Sequence, residues 1–221
     1  MTKFAVIWDM DGVLVDSTKT IWDSFNKLLK PHGIHFSQED IKKYLGLSLR
    51  DQIVSWKERW GINLELEKFS KQAEEAQLKV MEKKADESLL KLLNKLRKNK
   101  VLMGIGTSSS RGRAEKILDL LGIKDYFSVI VTAEDILNHK PNPDIFLKVA
   151  EKLNINPKNC VVIEDASSGI EAAKRGNMKS IGYLTEYHKK AELEKADLII
   201  EDFSEISYNK IKSLFNNGKT R

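Results

Sequence analysis

Phe4-Ala5-Val6-Ile7-Trp8-Asp9-Met10-Asp11-Gly12-Val13-Leu14-Val15-Asp16-Ser17 is a short apolar run that ends abruptly in two carboxylates spaced i and i+2, with a glycine behind them. Alternate side chains of an extended strand point to the same side. Asp9 and Asp11 therefore start close together at the strand's carboxyl end. Two such charges repel by about 4 kcal/mol at 4 Å when the effective dielectric is about 20. A nearby cation or a proton would relieve this, and Gly12 permits a sharp turn out of the strand. On these residues alone, a polar loop after an edge strand is the other reading.

Working outward, further apolar runs predict strands at Val101–Thr107, Phe127–Thr132, Cys160–Ile163, Lys179–Leu184 and Asp197–Ile200. Several are continuous in Val and Ile, as strands buried on both faces are. Helical patterns separate them: Leu89 to Leu96, Ala114 to Leu121 with Gly122 as a stop, and Ile145 to Leu153 with Asn142 as N-cap and Pro143 in the first turn. Ser168-Gly169-Ile170-Glu171 reads as a capping box before Ile170–Arg175. Strands alternating with helices predict an α/β fold with a doubly wound parallel sheet. From Ser17 to about Asp86 the alternation stops. Helical stripes there carry Trp22, Phe25, Tyr44, Trp56, Trp60 and Phe69, read as the core of a separate helical insert. The expected organisation is residues 1–16 and 87–221 as one domain and 17–86 as the other.

Ligands of open parallel sheets bind beyond the carboxyl ends of the strands, where the chain order reverses. Asp9, Asp11, Thr107, Glu164 and Asp165 all fall at such ends, and Lys140 lies in the loop after the third strand. A doubly wound sheet would bring them to one rim.

Composition narrows the class. The 221 residues are 41% hydrophobic and 31% charged, a globular balance. The net charge of +5 is spread among interspersed acids, without the like-charge block of a nucleic-acid stripe. The lone Cys160 excludes an internal disulfide and a cysteine-ligated metal; it opens a buried strand as a small hydrophobe. No apolar stretch approaches membrane-spanning length, and the first residues run into a strand, so a cytoplasmic protein is expected. None of His32, His35, His139 and His188 has metal-ligand spacing; surface or satisfied, hydrogen-bonded positions are expected, with His139 the one beside Lys140.

Asp9-Met10-Asp11-Gly12-Val13 resembles the first motif of the haloacid dehalogenase superfamily, in its branch of β-phosphoglucomutase-like and phosphoglycolate phosphatase-like proteins. Gly106-Thr107-Ser108-Ser109, His139-Lys140-Pro141-Asn142-Pro143-Asp144 and Val161-Val162-Ile163-Glu164-Asp165 follow in the family's order and span nearly the whole chain. The resemblance implies a Rossmann-like core with a helical cap at 17–86. It implies Asp9 as the nucleophile that carries a phosphoryl group and Asp11 as general acid and base. Crowding by like charges would raise the pKa of Asp11 as the acid role needs. Lys140 would stabilise the transferring group, with Thr107 and Ser108 as phosphate contacts.

A phosphate dianion approaching several carboxylates calls for Mg²⁺. By resemblance its ligands are Asp9, the backbone carbonyl of Asp11, Asp165 and Glu164, the last directly or through water. Gly46-Leu47-Ser48-Leu49-Arg50-Asp51 resembles the family's cap loop, which makes Ser48 and Arg50 candidates for the leaving group. The expected activity is Mg²⁺-dependent hydrolysis of a small phosphate monoester. The expected partner is a phosphorylated metabolite, not nucleic acid or membrane, in a monomer or small homo-oligomer. A sugar-phosphate mutase is the nearest alternative, but Ser17-Thr18-Lys19-Thr20-Ile21 lacks the hinge histidine of those mutases. A phospho-acceptor signalling module is a second alternative; receiver domains place their acidic pair after the first strand but their phosphoacceptor after a later one, and have no counterpart of the helical insert.

Overall fold

A computed structural model describes residues 3–44, 49–81 and 84–215. The chain divides into two compact units, Met1–Val15 with Glu82–Arg221, and Asp16–Met81. The division falls at Asp16, whose carboxylate caps the first helix by accepting from Lys19 N at 2.9 Å.

The larger unit is a six-stranded parallel sheet: β1 (Ala5–Trp8), β2 (Leu102–Gly106), β3 (Val129–Val131), β4 (Cys160–Glu164), β5 (Lys179–Tyr183) and β6 (Leu198–Ile200), in the order β3-β2-β1-β4-β5-β6. All six expected strands are present. β1 lies between β2 and β4, with Trp8 opposite Ile105 and Ile163. The chain order therefore reverses between β1 and β4, where a doubly wound sheet opens its ligand crevice. Ala5 and Ile7 face a core shared with Ile145, Phe146, Val149 and Ala172. Trp8 points to the opposite face, against Phe127 and Phe203. Burial on both faces explains why these strands read as unbroken apolar runs.

Two caps differ from expectation. The helix over Asp144–Lys152 has Pro143 in the N-cap position without a side-chain bond, which leaves Asn142 one residue outside the cap, its amide donating to the His139 carbonyl. The helix over Ser167–Arg175 begins after Ala166, and Glu171 forms no capping box. Its carboxylate accepts from Arg175 and Lys195, charged donors that outcompete a neutral backbone amide.

The smaller unit contains α1 (Ser17–Leu29), α2 (Gln38–Tyr44), α3 (Leu49–Trp60) and α4 (Leu66–Val80). Gly33, at φ +70°, ends the turn that follows α1. Ser37 caps α2 as expected: its Oγ accepts from Asp40 N at 3.2 Å. Trp56 is fully buried, with Trp22, Phe25, Phe36, Tyr44 and Phe69 around it at centroid distances of 4.9–6.4 Å. No helix among the described residues is long and apolar enough to cross a membrane.

Candidate active site

The reversal point of the sheet carries the acids. β1 runs straight into Asp9, whose N–H donates to Ile163 O of β4 at 2.9 Å. Glu164 ends β4 and Asp165 follows it. Asp9, Glu164 and Asp165 are all buried, and each offers an oxygen within 4.8 Å of the others. Two glycines make room for this crowding. Gly12 has φ +80°, and a Cβ there would overlap the Asp165 carboxylate; a Cβ on Gly169 would overlap the Glu164 side chain.

Lys140 enters from the loop before the Asp144–Lys152 helix. Its ammonium donates to Asp9 Oδ1 at 2.5 Å and to Glu164 Oε1 at 2.7 Å, and sits 4.9 Å from the centroid of the Phe146 ring. The other oxygen of Glu164 accepts from Ala166 N at 2.6 Å.

Burial raises the pKa of Asp9, Lys140 opposes that rise, and Glu164 and Asp11 reinforce it. Burial followed by the charges of Glu164 and Asp9 raises the pKa of Asp165. Burial works against the Lys140 ammonium, but Asp9 and Glu164 outweigh it and hold its pKa above the ordinary value. Three buried carboxylates thus share one ammonium. An all-oxygen donor set with surplus negative charge fits a hard divalent cation.

Thr107 follows β2, is fully buried, and accepts from Ser109 N at 3.1 Å. Ser110 takes the N-cap of the helix Arg111–Leu121, accepting from Arg113 N, so Thr107 does not serve there. Ser108 is exposed. Arg50 is exposed in the first turn of α3, and Ser48 lies outside the described residues.

Three contacts add to what the sequence suggests. Asp11 is not surrounded by like charge alone: Arg113 pairs with it at 2.8 Å and Ser109 donates to it at 2.7 Å. Arg111, at the start of the same helix, pairs with Asp135 at 2.6 Å. His188, half-buried and partnered, lies beside the acids, with Nε2 at 3.7 Å from Asp165 and Nδ1 at 3.0 Å from Glu192. His32, His35 and His139 are all exposed. The available signal for His188 was its place just past the end of β5, on the same rim.

Residues 6–183 match the haloacid dehalogenase-like hydrolase family, and the chain belongs to it as an enzyme. The phosphorylated carbohydrates phosphatase of Thermotoga maritima is 30% identical over 179 residues, which is 80% of this chain and 83% of that protein. The fructose-1-phosphate phosphatase of Escherichia coli is 28% identical over 182 residues, 80% of this chain and 94% of that one. The crystal structure of β-phosphoglucomutase from Clostridium difficile has a TM-score of 0.77 at 27% identity, covering 100% of both chains.

Proposed function

We infer that this protein is a Mg²⁺-dependent phosphatase of small phosphorylated metabolites, with sugar and polyol phosphates as the substrate class. The observation that carries this reading is the buried set of Asp9, Glu164 and Asp165 with Lys140 bridging the first two. The similarity to two sugar-phosphate phosphatases supports the substrate class.

In the first half-reaction an Asp9 oxygen bonds to phosphorus while the bond from phosphorus to the ester oxygen breaks. The departing oxygen takes the proton of the Asp11 carboxyl, leaving an alcohol and an aspartyl phosphate on Asp9. In the second, water attacks that phosphorus, its proton goes to Asp11, and the electron pair of the breaking bond returns to Asp9. Lys140 faces the charge on the equatorial oxygens in both steps. Thr107 and Ser108 are the hydroxyl contacts for the phosphate. Asp9, Asp165, Glu164 and the backbone carbonyl of Asp11 would hold the metal. Bound Mg²⁺ would neutralise the surplus acid and let a dianion approach. The helical unit takes the part of a cap, with Arg50 as a candidate for the leaving group. Nothing in the reading requires a membrane or nucleic acid, and a cytoplasmic site fits it.

A mutase is the second reading, favoured by the likeness to β-phosphoglucomutase. The sequence Ser17–Ile21, without histidine, speaks for hydrolysis. The deciding experiment is a phosphate-release screen over sugar, polyol and nucleotide phosphates and phosphoglycolate, with Mg²⁺ or with EDTA. Release that depends on Mg²⁺ is expected. Conversion of hexose 1-phosphate to 6-phosphate without net phosphate release would replace this reading with the mutase, and inactivity on every ester would end both.

A further inference from the structure

Asp11 is gripped by two residues to which the mechanism above gives no part. Ser109 Oγ donates to Asp11 Oδ2 at 2.7 Å. Arg113 spans the carboxylate, with Nη1 at 2.9 Å from Oδ2 and Nη2 at 2.8 Å from Oδ1. Arg113 also donates to Ser109 Oγ, and Ser109 N donates to Thr107 Oγ1, which ties the grip to the end of β2. The guanidinium side chain is 16% exposed. A two-pronged arginine fixes the plane of a carboxylate as well as its place, which a lysine cannot do.

In this arrangement Oδ2 of Asp11 accepts from Ser109 and Arg113 while Oδ1 faces the second guanidinium nitrogen as an ion pair, contacts that suit an ionised carboxylate. That is the form Asp11 has after the leaving group takes its proton, and the form that receives the proton of the attacking water. We propose that Arg113, with Ser109, is the positioning residue that holds Asp11 as the base of the second half-reaction. This rests on the phosphatase reading. In the step concerned, water oxygen bonds to phosphorus, the bond from phosphorus to Asp9 breaks with its electrons returning to the Asp9 carboxylate, and the water proton passes to Asp11. A base that swings freely loses the alignment that proton transfer requires.

The test uses p-nitrophenyl phosphate, whose leaving group departs without much help from an acid. Arg113→Met should slow hydrolysis of the aspartyl phosphate, so kcat falls about tenfold or more while KM falls with it. The aspartyl phosphate should accumulate, seen as a burst of p-nitrophenol approaching one equivalent per enzyme. Arg113→Lys should fall between wild type and Arg113→Met. In an Asp11→Asn background Arg113→Met should add no further loss, the mark of a residue acting through Asp11. A parallel fall of kcat and kcat/KM without a burst, or unaltered kinetics, overturns the proposal. If Arg113→Met fails to fold, Ser109→Ala and Arg113→Lys answer the same question with the same readouts. A wild-type protein that releases no phosphate overturns the phosphatase reading instead, and the two failures are told apart by that first measurement.

Discussion

Asp165 of the larger unit and Asp40 of the helical unit are both buried carboxylates, and their surroundings treat them oppositely. Around Asp165, burial and the charges of Glu164 and Asp9 push the pKa up, and the nearby ammonium of Lys140 bonds those two neighbours. Around Asp40, the Arg59 guanidinium at 2.7 Å and the Ser37 hydroxyl and N–H at 2.8 and 3.1 Å hold the pKa down, to about 2. The second arrangement stabilises the fold as it stands. The first costs stability until something positive arrives, which is how a binding site differs from a structural ion pair.

The largest effect that can break this contrast lies at Asp9. Asp9→Asn should lower phosphate release by about 10⁴-fold or more, since in the proposed mechanism Asp9 carries the phosphoryl group. A variant retaining wild-type turnover would remove the nucleophile and with it the functional reading of the acidic set. In the helical unit the comparable blow is to packing. Trp56 is fully buried among five aromatic side chains, so Trp56→Ala should cost about 3–5 kcal/mol. Urea unfolding followed by circular dichroism would measure it, and a loss under about 1 kcal/mol would mean that the aromatic cluster does not hold that unit together.

Asp165→Asn sharpens the comparison further. Removing one of the crowded charges should raise stability in EDTA by about 1–3 kcal/mol. Mg²⁺ should raise the wild-type melting temperature and leave that of the variant almost unaltered. A variant less stable than wild type in EDTA would show that the acids do not strain the fold.

The sheet was legible in the sequence because parallel strands buried on both faces leave continuous Val and Ile runs, and the acids were legible because Asp9 and Glu164-Asp165 terminate two such runs. The contacts that depend on long separations were not. Arg113 reads as one more solvated helix residue, and only the packing of the Arg111–Leu121 helix beside the end of β1 brings it to Asp11. His188 belongs to a loop without periodicity, and its place past the end of β5 puts it on the right rim without marking its approach to Asp165. The Asn142 cap failed because the helix begins one residue later than the pattern suggests, with Pro143 in the N-cap position.

The smallest expected effect tests the quiet half of the comparison. A carboxyl whose folded pKa lies below its unfolded value of roughly 3.9 binds fewer protons in the native state over that interval. Asp40 therefore contributes its stability fully above about pH 4 and loses it as pH falls toward its folded pKa of about 2. Asp40→Asn should destabilise the protein by about 1–2 kcal/mol at pH 7, through weaker bonds to Arg59 and Ser37. Between pH 5 and pH 2.5 the gap between wild type and variant should shrink, because the unfolded wild-type carboxyl then takes up a proton that the folded one does not. Urea midpoints of the two proteins across that range would measure it. A gap that stays constant would show that the Asp40 charge contributes nothing beyond the geometry of its hydrogen bonds, and the difference between the two carboxylates would then be one of packing, not of charge.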